Sequence, residues 1–522
     1  MTHDSDYAHR GEIDVMPATA RSTMGNPAAP RSRHADRRRL ARACGAVVMA
    51  IAITGNAALA RDDGLRLPEL GDPASQVLSL TEEQRLGQRL MRQVRQRAPM
   101  VDDPQVRQYV RDLGVRLVSR ANTGGMSYEF FVVNSPAINA FAMPGGYIGI
   151  NRGLITATQS ESELASVLAH EIAHVTQRHI ARRMADSQGS SLRTLGIMVA
   201  AILLGTQNSQ MGSAAAIGGL AGSIQERLNY SRNHEREADN VGMQILASAN
   251  LNPDGMPRFF ERLAESSRYQ QRPPEYLSTH PITESRIAAS RSRASSMNTG
   301  DPEESPTFAL MRAKLLVEGA DQPAQAVTRF SPDGDADLHD ALGETARRYG
   351  LAIAHLENGD PETAREIVQT LLEEDDTHPA FLIAEAQTYA EAGAYDQALE
   401  PLQLGLDLFP GDYALVVETA RVMLRLDQPL EARALVRRQI QRHGGDGTLH
   451  RLHAEAATEA GREHEGALAL GEHYYHEGNL ERALEQIRRV ANAGDADVEQ
   501  RSRAVARQET IRRELEAMNR EM

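Results

Sequence analysis

The chain has no tryptophan, one cysteine and one lysine, and aromatic residues make up only 4% of it. With so few aromatic anchors, a core must be assembled from Leu, Ala, Val, Ile and Met, which suits packed helices. The one cysteine, Cys44, lies inside a targeting segment, so the remainder has neither a disulfide nor a Cys-ligated metal site. The one lysine, Lys314, follows no glycine-rich loop, which excludes a Walker-type phosphate cradle. The net charge is −14. That disfavours a nucleic-acid partner, because neutralising phosphates needs clustered cations.

What is present amounts to 522 residues, 41% hydrophobic and 25% charged, the composition of a globular protein of two or three domains. Near the start, Arg37, Arg38, Arg39 and Arg42 precede an apolar run over 43–54, and Ala58-Leu59-Ala60 follows. That order is a secretory signal peptide with the mature chain starting near Arg61. The run is short for a membrane span, and the alternative is an uncleaved N-terminal anchor. Residues 1–36 read as a disordered extension or an upstream start.

Helical periodicity covers 76–120, with Asp102-Asp103-Pro104 marking a helix start. Residues 127–133 read as a strand, and 138–150 as a hairpin turning at Pro144-Gly145-Gly146. A long helix is expected from Ser160 to Met184, opened by a capping box of Ser160 and Glu163. A second is expected from Ile224 to Ala249. Between them, 195–224 holds two apolar pieces, each too short to cross a bilayer. They read as buried helices near a cleft, with peripheral membrane contact as the alternative. Residues 266–305, rich in Ser, Pro and Arg, read as an irregular, linker-like stretch.

From residue 306 the chain becomes a run of Ala/Leu/Glu-rich helices with an internal period. Gly359, Gly393, Asp427 and Gly461 are spaced by 34, and five residues after each come Ala364, Ala398, Ala432 and Gly466. A further copy at Gly478 arrives after only 17 residues, half a period, so one helix is shared between the last two repeats. Period, turn and small residue resemble the tetratricopeptide repeat over 340–490, which implies a superhelix with a concave binding face.

His170 and His174 stand four apart on the first long helix, so both imidazoles share a face and can bite one ion. Zinc favours neutral imidazole nitrogens. Glu171, beside the first of them, is placed to take a proton from water and pass it to a leaving amine. Such a string arises by chance in roughly one chain in a hundred of this length, so context decides. Leu164, Val167, Leu168, Ile172 and Val175 bury the helix, and a buried helix rarely carries two histidines and a glutamate without partners for them. His179 lacks the spacing of a metzincin third ligand and is expected on the surface. Glu235 is a better third ligand, with Asp239 one turn on to support a ligating histidine; His234 competes with Glu235 on spacing.

The His170–His174 string, the Ser231–Asp239 segment and the run Asn139-Ala140-Phe141-Ala142-Met143-Pro144-Gly145-Gly146 together resemble the M48 family of metallopeptidases over about 75–290. The resemblance implies a gluzincin-type fold with one Zn2+ per chain, held by His170, His174 and Glu235 and backed by Asp239. It implies that Asn139, Ala140, Phe141 and Ala142 form an edge strand that holds polypeptide substrate by β-augmentation. Thr279-His280-Pro281 and Arg286 resemble the end of that domain, where a His and an Arg lie near the metal. His280 is then either a transition-state stabiliser or a fourth, inhibitory ligand, and Arg286 is either catalytic or structural.

With the signal peptide and the repeats, the plan resembles the periplasmic BepA-like proteases, which implies quality control of outer-membrane β-barrel proteins. The expected architecture is mainly α. An extension and signal peptide (1–60) precede a peptidase domain of helices plus a small β-sheet (61–300), an α-solenoid of repeats (306–495) and a C-terminal helix (496–522). The expected function is a periplasmic zinc endopeptidase in which Glu171, His280 and Arg286 act in catalysis. Its repeats would dock outer-membrane proteins or their assembly machinery. The rival is a chaperone or assembly factor whose zinc site is structural or self-inhibited.

Overall fold

The computed structural model describes residues 78–186, 231–269, 274–297, 302 and 304–521. The signal peptide, Cys44 and the apolar 195–224 segment lie outside these residues. Helix α1 (Leu80–Arg97) opens on a capping box: Ser79 Oγ accepts from the Glu82 backbone, and Glu82 Oε2 accepts from the Ser79 N–H at 2.9 Å. Helix α2 (Pro104–Val118) starts where the sequence marks it, with Asp103 capping the N–H groups of Gln105 and Val106 and Pro104 in the first turn. Its Val106, Tyr109, Val110, Leu113 and Leu117 form one buried stripe.

Strands β1 (Glu129–Val133), β2 (Ala140–Met143) and β3 (Tyr147–Asn151) form a sheet in the order β1-β3-β2. β3 pairs parallel with β1 and antiparallel with β2, with Ala140 opposite Ile150 and Met143 opposite Tyr147. The hairpin expected at Pro144-Gly145-Gly146 is therefore present, and both glycines take positive φ there. Among the described residues β2 is paired on one side only.

Helix α3 (Arg152–Ala157) leads into α4 (Glu161–Thr176), which is buried along nearly its whole length. Ser160 caps it, while the Glu163 side chain accepts from Gln159 rather than from Ser160, so the expected capping box is shifted by one residue. The helix does not run on to Met184. It stops at Thr176, Arg178 takes a left-handed φ of 52°, and a separate α5 (His179–Asp186) begins. Helix α6 (Arg232–Ser248) packs along α4. The linker-like 266–305 stretch is corrected: it contains the end of α7 (Gly255–Tyr269), then α8 (Glu275–Thr279) and α9 (Glu284–Ala294). The inner face of α9 is largely polar, Arg286 and Ser290 with Ala294, so apolar periodicity does not reveal it.

The helical second half begins with α10 (Pro306–Glu318), α11 (Pro323–Phe330) and α12 (Ala336–Leu342). Repeat pairs follow: α13 (Glu344–Glu357) with α14 (Pro361–Leu372), α15 (Pro379–Glu391) with α16 (Tyr395–Leu408), and α17 (Tyr413–Arg425) with α18 (Pro429–His443). Then come α19 (Gly447–Glu459), α20 (Glu463–His476), α21 (Leu480–Ala491) and the long α22 (Val498–Glu521). Each residue of the 34-residue register sits in the turn inside a pair with positive φ, and Ala364, Ala398 and Ala432 are fully buried where the helices meet. The half-period step has the expected origin, because α20 packs on both α19 and α21.

One apolar core runs from α2 through the sheet and α4 into α10, α13 and α15, joining Val106, Ile150, Leu168, Met311, Tyr349 and Phe381. The first repeats are built onto the first half of the chain, not tethered to it. Among the described residues, no helix is long and apolar enough to cross a membrane.

Candidate metal centre

Helices α4 and α6 approach closely because Gly242 has no side chain. A Cβ there would come within 3.1 Å of the His170 backbone nitrogen. The contact sets Glu235 and Asp239 of α6 beside His170 and His174 of α4. His170 Nε2 and His174 Nε2 are 2.9 Å apart, and the Glu235 carboxylate lies 3.5 Å from the first and 3.4 Å from the second. His280, which ends α8, brings Nδ1 to 3.3 Å from His170 Nε2 and 3.1 Å from Glu235 Oε1. All four side chains are buried, and their donor atoms lie within 4.8 Å of one another.

Three imidazole nitrogens and a carboxylate cannot all satisfy one another by hydrogen bonds at these distances, because too few protons serve too many lone pairs. A shared divalent cation satisfies them, and three nitrogens with one oxygen are a donor set that suits zinc. The residues present therefore fit a metal ion.

Around this set lies a ring of supports. His170 Nδ1 is 3.0 Å from Asp239 Oδ1. Arg286 grips Asp239 with Nε and Nη2 at 2.8 and 2.6 Å, reaches Glu235 Oε2 with Nη1 at 2.8 Å, and lies over the Phe260 ring. Its guanidinium is thus committed to Asp239, Glu235 and the Pro281 carbonyl, which accepts from Nη1 at 2.9 Å. Tyr276 stacks on His280 with ring centroids 4.8 Å apart, accepts the His280 N–H at 2.8 Å, and donates its own N–H to Ile138, just before Asn139 and β2. Glu171 is fully buried, and neither of its oxygens makes a hydrogen bond; His280 Nε2 lies 3.4 Å away.

The electrostatics follow from burial and pairing. Burial works against a charge on His170, but Asp239 and Glu235 outweigh it and lift its pKa to about 9. His174 is pushed down to about 3, chiefly by burial. Burial would raise Glu235, yet His280, His170 and His174 hold it well below the usual carboxylate range. Asp239 is depressed in the same way, against its burial, by His170 and Arg286.

His179 departs from expectation. It is fully buried, with Nδ1 2.8 Å from His174 Nδ1 and Nε2 3.1 Å from Glu237 Oε2. The left-handed turn at Arg178 swings it back toward His174, whereas an unbroken helix would carry it away. No Gly or Pro marks that turn, so spacing alone does not reveal it. His234, the competitor of Glu235 on spacing, instead stacks on His179 at 4.4 Å. Tyr276 is the other participant that motif reading passes over; its signal is an aromatic residue within a polar, Ser/Pro-rich stretch. Asn139 and the β2 residues Ala140, Phe141 and Ala142 are buried beside this centre, with β2 packed on α4.

Comparison with known proteins agrees with this geometry. The profile of peptidase family M48 matches residues 104–294, and tetratricopeptide-repeat profiles match 349–413 and 464–489. The beta-barrel assembly-enhancing protease of Escherichia coli K12 is 33% identical over 454 residues, covering 86% of this chain and 92% of that protein. A putative beta-barrel assembly-enhancing protease of Vibrio cholerae is 34% identical over 428 residues, covering 82% and 88% respectively. The mitochondrial metalloendopeptidase OMA1 of Arabidopsis thaliana is 33% identical over 159 residues, 30% of each chain. With a buried His/Glu centre on α4 and α6 and a relative matched along nearly its whole length, the chain is a member of the M48 metallopeptidase family that carries C-terminal tetratricopeptide repeats.

Proposed function

We propose that this chain is a zinc endopeptidase of the periplasm that acts on outer-membrane β-barrel proteins or their assembly intermediates, with the repeats docking substrate or partner. The observation that carries the reading is the convergence of His170, His174, Glu235 and His280 in one buried cluster beside Glu171. The periplasmic address rests on the signal-peptide pattern before Arg61, and the substrate class on the printed names of the relatives.

In this reading His170, His174 and Glu235 hold the ion, Asp239 orients His170, and Arg286 fixes both carboxylates as a positioning residue. Zinc, when bound, supplies Lewis acidity at the scissile carbonyl. Glu171 takes a proton from the attacking water and returns it to the leaving nitrogen. The edge of β2 that is unpaired among the described residues, entered through Asn139, is the place for substrate backbone to add a strand. Glu171→Gln should lower cleavage of an unfolded outer-membrane protein by at least about 10²-fold with zinc still bound, and should capture that substrate in a pull-down. Wild-type cleavage by this variant would sink the mechanism.

A second reading has its own support. His280 stands as a fourth donor, the arrangement of a closed, resting site. His280→Ala should then raise basal proteolysis. Unchanged or lost activity counts against gating, and lost activity returns His280 to a direct role in the reaction.

A further inference from the structure

The support behind His170 has a counterpart behind His174. His174 Nε2 faces the donor cluster, 2.9 Å from His170 Nε2 and 3.4 Å from Glu235 Oε1, so it must offer a lone pair there. A neutral imidazole with that lone pair carries its proton on Nδ1. His174 Nδ1 lies 2.8 Å from His179 Nδ1, which must therefore accept. The His179 proton is then on Nε2, 3.1 Å from Glu237 Oε2, and a carboxylate accepts it. Arg182 Nη1 holds the same Glu237 oxygen at 2.9 Å. This assignment satisfies each of these four contacts. The reverse one points a proton from His174 into the cluster.

We infer that His179 is a positioning residue of the metal centre: with Glu237 and Arg182 it fixes the tautomer and orientation of His174, as Asp239 and Arg286 do for His170. The two supports are alike in form. Each ligand histidine leans on a buried group, and each chain ends on a carboxylate held by an arginine. His179 reaches its place through the left-handed Arg178, which is tied to Glu83 of α1 at 3.3 Å and to the Leu78 carbonyl. Stacking of His234 on the other side of the ring sets its plane. The inference rests on the metal reading of the site.

The test uses the full-length protein and measures zinc affinity by competition with a chelator, together with the visible spectrum of the cobalt-substituted form. Wild type should bind one zinc; if it binds none, the metal reading falls and this inference with it. His179→Leu should lose zinc roughly 10- to 100-fold more readily and shift the cobalt bands. His179→Asn, which keeps an acceptor at the Nδ1 position, should recover most of the affinity and the wild-type spectrum. Glu237 is partly exposed, so Glu237→Ala should fold normally; it should weaken zinc binding by a smaller factor, about 3- to 10-fold. Wild-type affinity in His179→Leu or in Glu237→Ala overturns the inference. Equal losses in the Leu and Asn variants overturn it too, since they would show that the ring only fills space. If His179→Leu does not fold, the Glu237→Ala result decides.

Discussion

Arg286 shows how much of the centre depends on the shape of one side chain. It meets Asp239 through two parallel N–H···O bonds, donates a third to the Pro281 carbonyl, and pairs by charge with Glu235 at 2.8 Å, with the Phe260 ring beneath it. A planar fork does this; an ammonium group offers one point of charge and no fork. Arg286→Lys should therefore keep the fold, seen as an unchanged helical circular-dichroism spectrum, while zinc affinity falls roughly 10-fold. An affinity equal to wild type would show that charge alone suffices. The sequence reveals such residues unevenly. His170, Glu171 and His174 are legible because a helix fixes which residues share a face. Glu235 and His234 are not separable by spacing; the phase of α6, set by its Ser231 cap and by the close pass at Gly242, turns Glu235 inward. His179 is illegible, because its position depends on a left-handed arginine whose anchors, Glu83 and Leu78, are about a hundred residues away in the chain.

At the scale of elements, the legible parts are those with a regular period or a strong start signal. The Asp103-Pro104 helix start, the Pro-Gly-Gly hairpin and the 34-residue turns all appear in place. Helix α9 is hidden because its buried face is largely polar, and α8 because five residues with Tyr276 alone buried are too few to show a period. The repeat register contains one exception with a cost. Three of its four turn residues are glycines at φ between 70° and 77°, and the fourth is Asp427 at 55°. An L-residue in that region is strained by roughly 1–2 kcal/mol, and glycine gives back part of that in chain entropy, roughly 0.5–1 kcal/mol. Asp427 is exposed. Asp427→Gly should thus stabilise the array by about 0.5 kcal/mol, and Gly461→Ala at the matching turn should destabilise it by about 1 kcal/mol. Urea unfolding curves of the two variants measure both; a loss of stability in Asp427→Gly would mean that its side chain serves the turn in some other way.

At the scale of the molecule, the two halves are fastened at both ends of the array. Near its start, the buried Lys314 of α10 reaches Asp103 and Gln105 at the head of α2, each at 2.6 Å, and Tyr349 of α13 meets the same Gln105. Near its end the contacts are more polar and more exposed. Arg107 reaches Asp446 at 2.7 Å and Thr448 at 2.8 Å, and Arg95 donates to the His476 carbonyl at 2.6 Å. The first fastening lies in the continuous core, whereas the last repeats have smaller cores of their own. The far end should therefore open first. Burial would raise the Asp446 carboxyl, but Arg107, the Leu449 N–H and Tyr413 hold it below its ordinary value. A depressed carboxylate contributes stability above its unfolded pKa, about 4, and loses it as pH falls through the lower folded value. Acid below about pH 4 should accordingly release the last repeats from α1 and α2 before the peptidase half unfolds. Arg95→Ala combined with Arg107→Ala should produce the same release at neutral pH, because it removes the charged partner and the carbonyl clamp together. Small-angle scattering should show a larger radius of gyration in both cases with little loss of helix. A double variant that stays as compact as wild type at neutral pH would mean that the shared core and the remaining contacts, Arg92 with Glu514 at 2.7 Å and Gln96 with the Gly478 carbonyl at 2.6 Å, hold the array closed.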